Sequence, residues 1–345
     1  MVRCAHIRPR HPRANRPLRR AVPPRGGERL GVNAVTTRPA TGALSVARDY
    51  ISLLKLRIVL LLDATAIGVM FPAAHGHPRV AAVLAVLVGG TLAAGGAHAV
   101  NCWFDRDIDA EMMRTRLRPV PGGRIPPWHA LAIGIALNAV AFAVLLAWAN
   151  LLAAMLALAG TLIYIFVYTI WLKRSTPHNI VIGGAAGAVP PLVGWAAVTG
   201  TLDLTALSLF AVILFWTPPH FWALAQVIKS DYARARIPML PVVAGEQSAK
   251  RQSVVYALLT AGVSVVPFFT GNAGAVYLAG ATVLGLGLVV ITVVYLAGAT
   301  VLGLGLVVIT VLDLAGRRWT RRVFAYSIVY VALLFMLFAV SPFLP

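Results

Sequence analysis

Acid is what this chain has least of: 11 Asp and Glu in 345 residues, against 30 Lys and Arg. Charged residues of both signs make up only 12% of it and hydrophobic ones 59%, which excludes an ordinary water-soluble domain and points to a polytopic membrane protein. Cysteine is nearly absent. Cys4 and Cys102 form no CxxC pair, so neither a disulfide framework nor a zinc site is available. Lysine occurs only at positions 55, 173, 229 and 250; this bias toward Arg, with abundant Ala, Gly and Val, fits a GC-rich bacterial genome. The formal charge of +19 does not imply a nucleic-acid binder. Residues 1–48 hold 11 Arg against Glu28, leaving 19 Lys and Arg against 10 acids, or +9, in short loops suited to anionic lipid.

Residues 1–48 are rich in Arg and Pro, lack apolar periodicity and cannot bury a core, so a disordered basic tail is expected there, ahead of a transmembrane domain at 49–345. A transit peptide, a start codon set too far upstream and a polybasic cytoplasmic tail stay open as readings of it. Apolar stretches near the roughly 20 residues that cross hydrocarbon follow at 51–71, 80–100, 128–148, 151–171, 180–199, 205–226, 253–271, 275–312 and 323–341. The expected fold is all-α, a bundle of nine transmembrane helices. The eighth stretch is lengthened by a perfect tandem duplication, VYLAGATVLGLGLVVITV at 276–293 and again at 294–311. Basic residues cluster at 106–124, 173–174, 229–236 with 250–251, and 317–322, and the alternate loops are nearly bare. Nine spans with the N-terminus inside put every cluster on the cytoplasmic side. Residues 275–312 are therefore expected as one overlong, tilted or kinked helix, or a re-entrant excursion.

The scarce acid is concentrated. Asp105, Asp107, Asp109 and Glu111 fall within seven positions of NCWFDRDIDAEMMRTRLRPVPGGR at 101–124. On a helix, Asn101, Asp105 and Asp109 recur every four residues and share a face. Two carboxylates about 6 Å apart at an effective dielectric near 20 repel by roughly 3 kcal/mol, so a cation must hold them together. Hard divalent ions such as Mg²⁺ take carboxylate and phosphate oxygens. Arg114, Arg116 and Arg118 follow, and guanidinium grips phosphate oxygens two at a time. A metal-bridged diphosphate site at the end of a membrane helix is the reading that follows. A second polar loop, IKSDYARARIPMLPVVAG at 228–245, faces the same compartment and contributes Asp231, Lys229, Arg234 and Arg236.

These loops resemble those of the intramembrane prenyltransferases, and within them the branch that farnesylates heme. The likeness runs from about residue 50 to 340. It rests on NxxxDxxxD followed by MxRTxxRP, on KRxTPxNIVIGGAAGA, on TPPHFWALA and on DYxxAxIPMLPVVxG, in that order. The chain departs from the family's pattern at Ser230, where relatives often carry an acid, at Arg236, usually Gly, and at His178, usually Gln. The resemblance implies farnesyl diphosphate as donor, heme B as acceptor, Mg²⁺ as cofactor and heme O as product. It implies a multi-pass protein of the bacterial inner membrane, N-terminus cytoplasmic, with a terminal oxidase or heme A synthase as a candidate partner. In this reading Asn101, Asp105, Asp109 and Asp231 hold metal. Asp105, Asp109, Lys173 and Asp231 are catalytic, and Asn101, Arg114, Arg118, Lys173 and Lys229 receive the diphosphate. His220 is a candidate heme contact, weighed against a hydrogen-bonded core histidine. Trp103, Phe104, Tyr164, Tyr168, Trp216 and Phe221 are candidates to shield an allylic cation. The rival functions are prenyl transfer to an aromatic quinone precursor and a secondary transporter, whose polar sites belong at the bilayer midplane.

Overall fold

The computed structural model describes residues 42–301 and 309–343, and among them the regular structure is helical throughout. The first helix, α1 (Ala43–Leu53), ends where Lys55 takes the left-handed conformation, φ 51° and ψ 48°, and α2 (Leu56–Ala73) starts. That conformation costs a residue with a Cβ roughly 1–2 kcal/mol, so contacts of Lys55 must hold it. The break corrects two boundaries. Residues 43–48 are helical rather than tail, and 51–53 belong to α1 rather than to the first span. The rest of the expected tail, 1–41, lies outside the described residues.

The chain continues through α3 (Val80–Phe104), the short α4 (Arg106–Glu111), α5 (Pro127–Trp148) and α6 (Leu151–Leu162), which runs into a π-helical segment (Ile163–Leu172). Then come α7 (Asn179–Thr199), α8 (Leu204–Val227), the short α9 (Lys229–Arg234) and α10 (Leu240–Val243), α11 (Gly245–Ser264) with α12 (Val266–Phe269), α13 (Ala275–Val301) and α14 (Ile309–Val340). Among the described residues, 9 helices are long and apolar enough to cross a membrane, matching the expected count. The seventh starts at Gly245 rather than near 253, because Glu246, Gln247, Ala249 and Lys250 are good helix formers that extend it past its apolar part. The first copy of the duplicated 18-mer lies within α13, which runs on to Val301. Residues 302–308 of the second copy lie outside the described residues, and 309–311 open α14.

Small residues let the spans close on one another. A Cβ at Gly96 would stand 2.8 Å from the Gly134 carbonyl oxygen, and one at Gly134 2.7 Å from that of Gly96, so α3 and α5 cross backbone to backbone. Val69, Trp195, Leu209, Tyr277, Tyr330 and Phe338 join α2, α7, α8, α13 and α14 in one apolar core. Asn150 and Asp203 cap α6 and α8 by accepting the Ala153 and Ala206 N–H, each at 2.9 Å. Midspan Asp63 is buried and accepts the Thr91 hydroxyl at 2.7 Å, the polar partner an acid at that depth requires.

Candidate active site

The acidic run is not one continuous helix. Asp105 stands between α3 and α4 with φ −85° and ψ 8°, its N–H still donating to Asn101 O at 2.9 Å and its carbonyl accepting the Asp109 N–H at 2.8 Å. The fourfold spacing survives in the hydrogen bonds, but the side chains find different partners. Asn101 donates to Asp105 Oδ2 at 2.6 Å and to Thr169 Oγ1 at 3.2 Å, and its Oδ1 accepts Lys55 Nζ at 3.1 Å. Lys173 Nζ also donates to Asp105 Oδ2. Asp109, also buried, accepts Arg118 Nη1 at 2.8 Å. Asp107 is exposed and takes both Arg174 guanidinium nitrogens, at 2.6 and 2.7 Å; this hydrogen bond holds its carboxyl below the usual carboxylate range.

The π-helical segment places the lysine. Its last turn closes with the Lys173 N–H on the Tyr168 carbonyl at 2.8 Å, a five-residue step, and the Thr169 hydroxyl donates to Tyr164 O at 2.8 Å. Tyr164 and Tyr168 stack with centroids 5.7 Å apart, and the Tyr164 hydroxyl meets His98 Nδ1 at 3.3 Å. Gly183 of the GGAAGA run makes room for the Tyr168 ring, which a Cβ there would overlap. Ile108, Met112, Ile180 and Ile237 form an apolar cluster, against which Tyr168, Phe221 and Tyr232 pack. Burial, with Tyr168 beside it, pushes the Tyr232 phenol up to about 12, so it stays a neutral hydroxyl.

The second polar loop folds onto the first. Both oxygens of buried Asp231 accept backbone N–H groups, from Met113 and Arg114, each at 3.4 Å, with Arg234 at 3.7 Å. Lys229 does not join the cluster; it pairs with Glu246 at 3.3 Å on the surface. His220 sits within α8, its Nδ1 on Ser327 Oγ at 2.8 Å and its ring between Trp216 and Phe324, at 4.3 and 4.7 Å. That is the environment of a packed, hydrogen-bonded histidine.

Three members of the cluster escaped the sequence reading. Lys55 lies 46 residues from Asn101 in sequence, and its only signal was a lone lysine between apolar stretches. Burial, with Arg118 and Lys173 nearby, lowers its pKa. Thr169 links the π segment to Asn101. Asn179 is fully buried at the start of α7, donates to Lys173 O at 3.5 Å and leaves its Oδ1 without a hydrogen bond. Arg236, where the family usually has Gly, adopts φ 51°, the conformation that glycine takes without strain.

The donor set suits a metal only in part. Among the described residues no three His, Cys, Asp or Glu side chains come together as a metal-binding group. Arg118 and the 113–114 backbone take up two of the carboxylates, Asp109 and Asp231. Asp105 Oδ1, however, is buried with no hydrogen bond, and Arg174 Nη2 stands 3.6 Å from it. A buried acceptor left unmatched is costly, and an oxygen-seeking ion that brings further ligands from a substrate would satisfy it.

A bundle of membrane-length helices, with carboxylates and cations gathered where α3, the π segment and α8 end, defines an integral membrane protein with a charged cluster at the ends of its spans. Residues 62–300 match the UbiA prenyltransferase family, and the chain belongs to it. It is 55% identical over 244 residues to protoheme IX farnesyltransferase of Roseiflexus sp. (strain RS-1), covering 71% of this chain but only 46% of that protein. With the protein of the same name from Symbiobacterium thermophilum it shares 48% identity over 291 residues, 84% of this chain and 93% of the relative. The fold superimposes on that of a UbiA homolog from Archaeoglobus fulgidus bound to DMAPP and Mg²⁺ with a TM-score of 0.58 at 18% identity, covering 83% and 99% of the two chains.

Proposed function

We propose that the protein transfers a farnesyl group from farnesyl diphosphate to a vinyl group of heme B, forming heme O. The observation that carries this reading is the buried Asp105 carboxylate, one oxygen held by Asn101 and Lys173 and the other without a hydrogen bond. The name shared by the two relatives supports the choice of substrates. The Archaeoglobus fulgidus homolog, with its prenyl diphosphate and Mg²⁺, supports the cofactor.

Asp105, with Asn101 and Asp109 beside it, would hold Mg²⁺. Bound there, the ion supplies positive charge to a departing diphosphate. Lys173 and Arg118 neutralise the charge that grows on the same oxygens, and fixed cations in a dry site are ordinarily the largest catalytic contribution. Asp231 acts through the first loop: by accepting the Met113 and Arg114 N–H groups it sets where Arg114 projects. Lys229, tied to Glu246, contributes long-range charge only. The donor's C1–O bond breaks with its electron pair going to diphosphate. The vinyl π electrons form the new carbon–carbon bond, and water adds hydroxyl to the resulting cation and releases one proton. The stacked Tyr164 and Tyr168 rings offer π faces to the allylic cation. The polar cluster and the N-terminus face the cytoplasm in this reading, because the basic loops share one side.

The test is incubation of the purified protein with farnesyl diphosphate and either heme B or 4-hydroxybenzoate, with and without EDTA. Heme O should appear by mass, vanish with EDTA and return with added Mg²⁺. A prenylated benzoate with no heme O would reject the acceptor.

A further inference from the structure

A charged cavity adjoins the cluster and shares Arg114 and Arg118 with it. Between the end of α1, Lys55, Cys102 and the loop at 114–124 is a cavity of about 430 Å³. Its lining holds five basic side chains and a single acid. Two of the five are already neutralised: Arg124 clamps Asp49 through two hydrogen bonds of 2.8 and 3.0 Å, and Arg118 pairs with Asp109. Arg48, Arg114 and Lys55 have no carboxylate within ion-pair reach among the described residues. The remaining wall is apolar, with Leu53 and Val120 buried and Leu117 at the rim. Unpaired cations around a greasy pocket call for an amphiphilic anion. The pocket's innermost cation, Lys55, also donates to Asn101 at 3.1 Å, so an occupant would lie one hydrogen bond from the reacting cluster.

We propose that this cavity seats the carboxylates of the acceptor, Arg48 and Lys55 receiving the two propionates of heme B while Lys173 on the other side of Asn101 attends the donor. The proposal rests on heme being the acceptor. Its chemistry is specific: a macrocycle carrying two carboxylates at one edge matches an apolar wall rimmed by cations, and guanidinium binds carboxylate with two parallel hydrogen bonds. Holding that edge at the rim leaves the opposite, vinyl-bearing edge free to enter the bundle. The break between α1 and α2 then has a use, since the left-handed Lys55 turns its amine inward between pocket and cluster.

The experiment compares heme B with its dimethyl ester as acceptors for wild-type protein and for Arg48→Gln, an exposed position whose loss leaves the fold intact. A charged hydrogen bond is worth roughly 1.5–3 kcal/mol, so wild type should prefer heme B by about tenfold or more in kcat/KM, and Arg48→Gln should raise KM for heme B by a similar factor. The variant should prefer acid over ester by a smaller factor than wild type, since Lys55 still receives one propionate, and its KM for farnesyl diphosphate should stay at the wild-type value. Equal use of both acceptors by wild type overturns the proposal. So does an Arg48→Gln protein whose defect lies in KM for farnesyl diphosphate or in inhibition by free diphosphate, because the pocket would then serve phosphate. A wild-type protein that prenylates no heme removes the acceptor reading and this one together, whereas heme transfer without ester discrimination removes this one alone.

Discussion

Replacing Lys173 with methionine deletes one positive charge beside a carboxylate that is 1% exposed, and two costs of different kind follow. The first is structural. Breaking a buried ion pair from one side typically costs about 3–5 kcal/mol, because the surviving charge is left uncompensated. Here Asp105 keeps Asn101 at 2.6 Å and Arg174 at 3.6 Å, so the loss should fall below that range and the protein should still fold. The second cost is catalytic. An ammonium about 4 Å from a developing unit charge, at an effective dielectric near 20, is worth about 4 kcal/mol, or about 10³-fold in rate. Initial rates of heme O formation, followed by mass, should therefore drop about 10²–10³-fold in Lys173→Met. A thermal midpoint in detergent measured on the same preparation separates misfolding from lost chemistry. Lys173→Arg should recover part of the rate, because the charge survives although its point-like geometry does not. Wild-type turnover from a folded Lys173→Met protein would refute the assignment of this cation to the leaving group.

Asp231→Asn should weaken the grip on the Met113 and Arg114 N–H groups and raise KM for farnesyl diphosphate by about tenfold, the scale of one charged hydrogen bond, with a smaller change in kcat; an unaltered KM would show that the second loop does not position the first. Gly183→Ala forces a Cβ into the Tyr168 ring, and overpacking of this kind costs about 1–3 kcal/mol. Its thermal midpoint and turnover should both fall. Gly187→Ala, where a Cβ would meet nothing within 4 Å, should leave the midpoint unchanged or higher, and equal midpoints for the two variants would dismiss the close approach.

The nine spans were legible because hydrocarbon thickness and backbone hydrogen bonding leave few alternatives to runs of about 20 apolar residues. Asp105 was legible for a related reason: acid clustered in an acid-poor chain must have a purpose. What failed to show was pairing across distance. Nothing local says that Lys55 reaches Asn101 or that Lys229 turns away to Glu246, because each partner arrives from a separate helix, and the fold of the loop after α4 decides that Arg118 occupies Asp109. The expected ligand set, Asn101, Asp105 and Asp109 on one ion with Asp231 serving a second, did not take account of how many basic groups pair with those carboxylates. Arg236 was noticed only as a departure from a family pattern; its positive φ gives the physical reason a glycine is usual there.

The segment Ile163–Leu172 is wound wider than its neighbours, closing on five-residue steps, and the number of residues in it therefore matters as much as their identity. Losing any one of them would let the coil tighten to 3.6 residues per turn and swing everything downstream by about 100°. Lys173 would rotate off Asp105 although no side chain in contact with the carboxylate had been altered, so a single-codon deletion in this stretch is functionally equivalent to a missense change at the lysine itself.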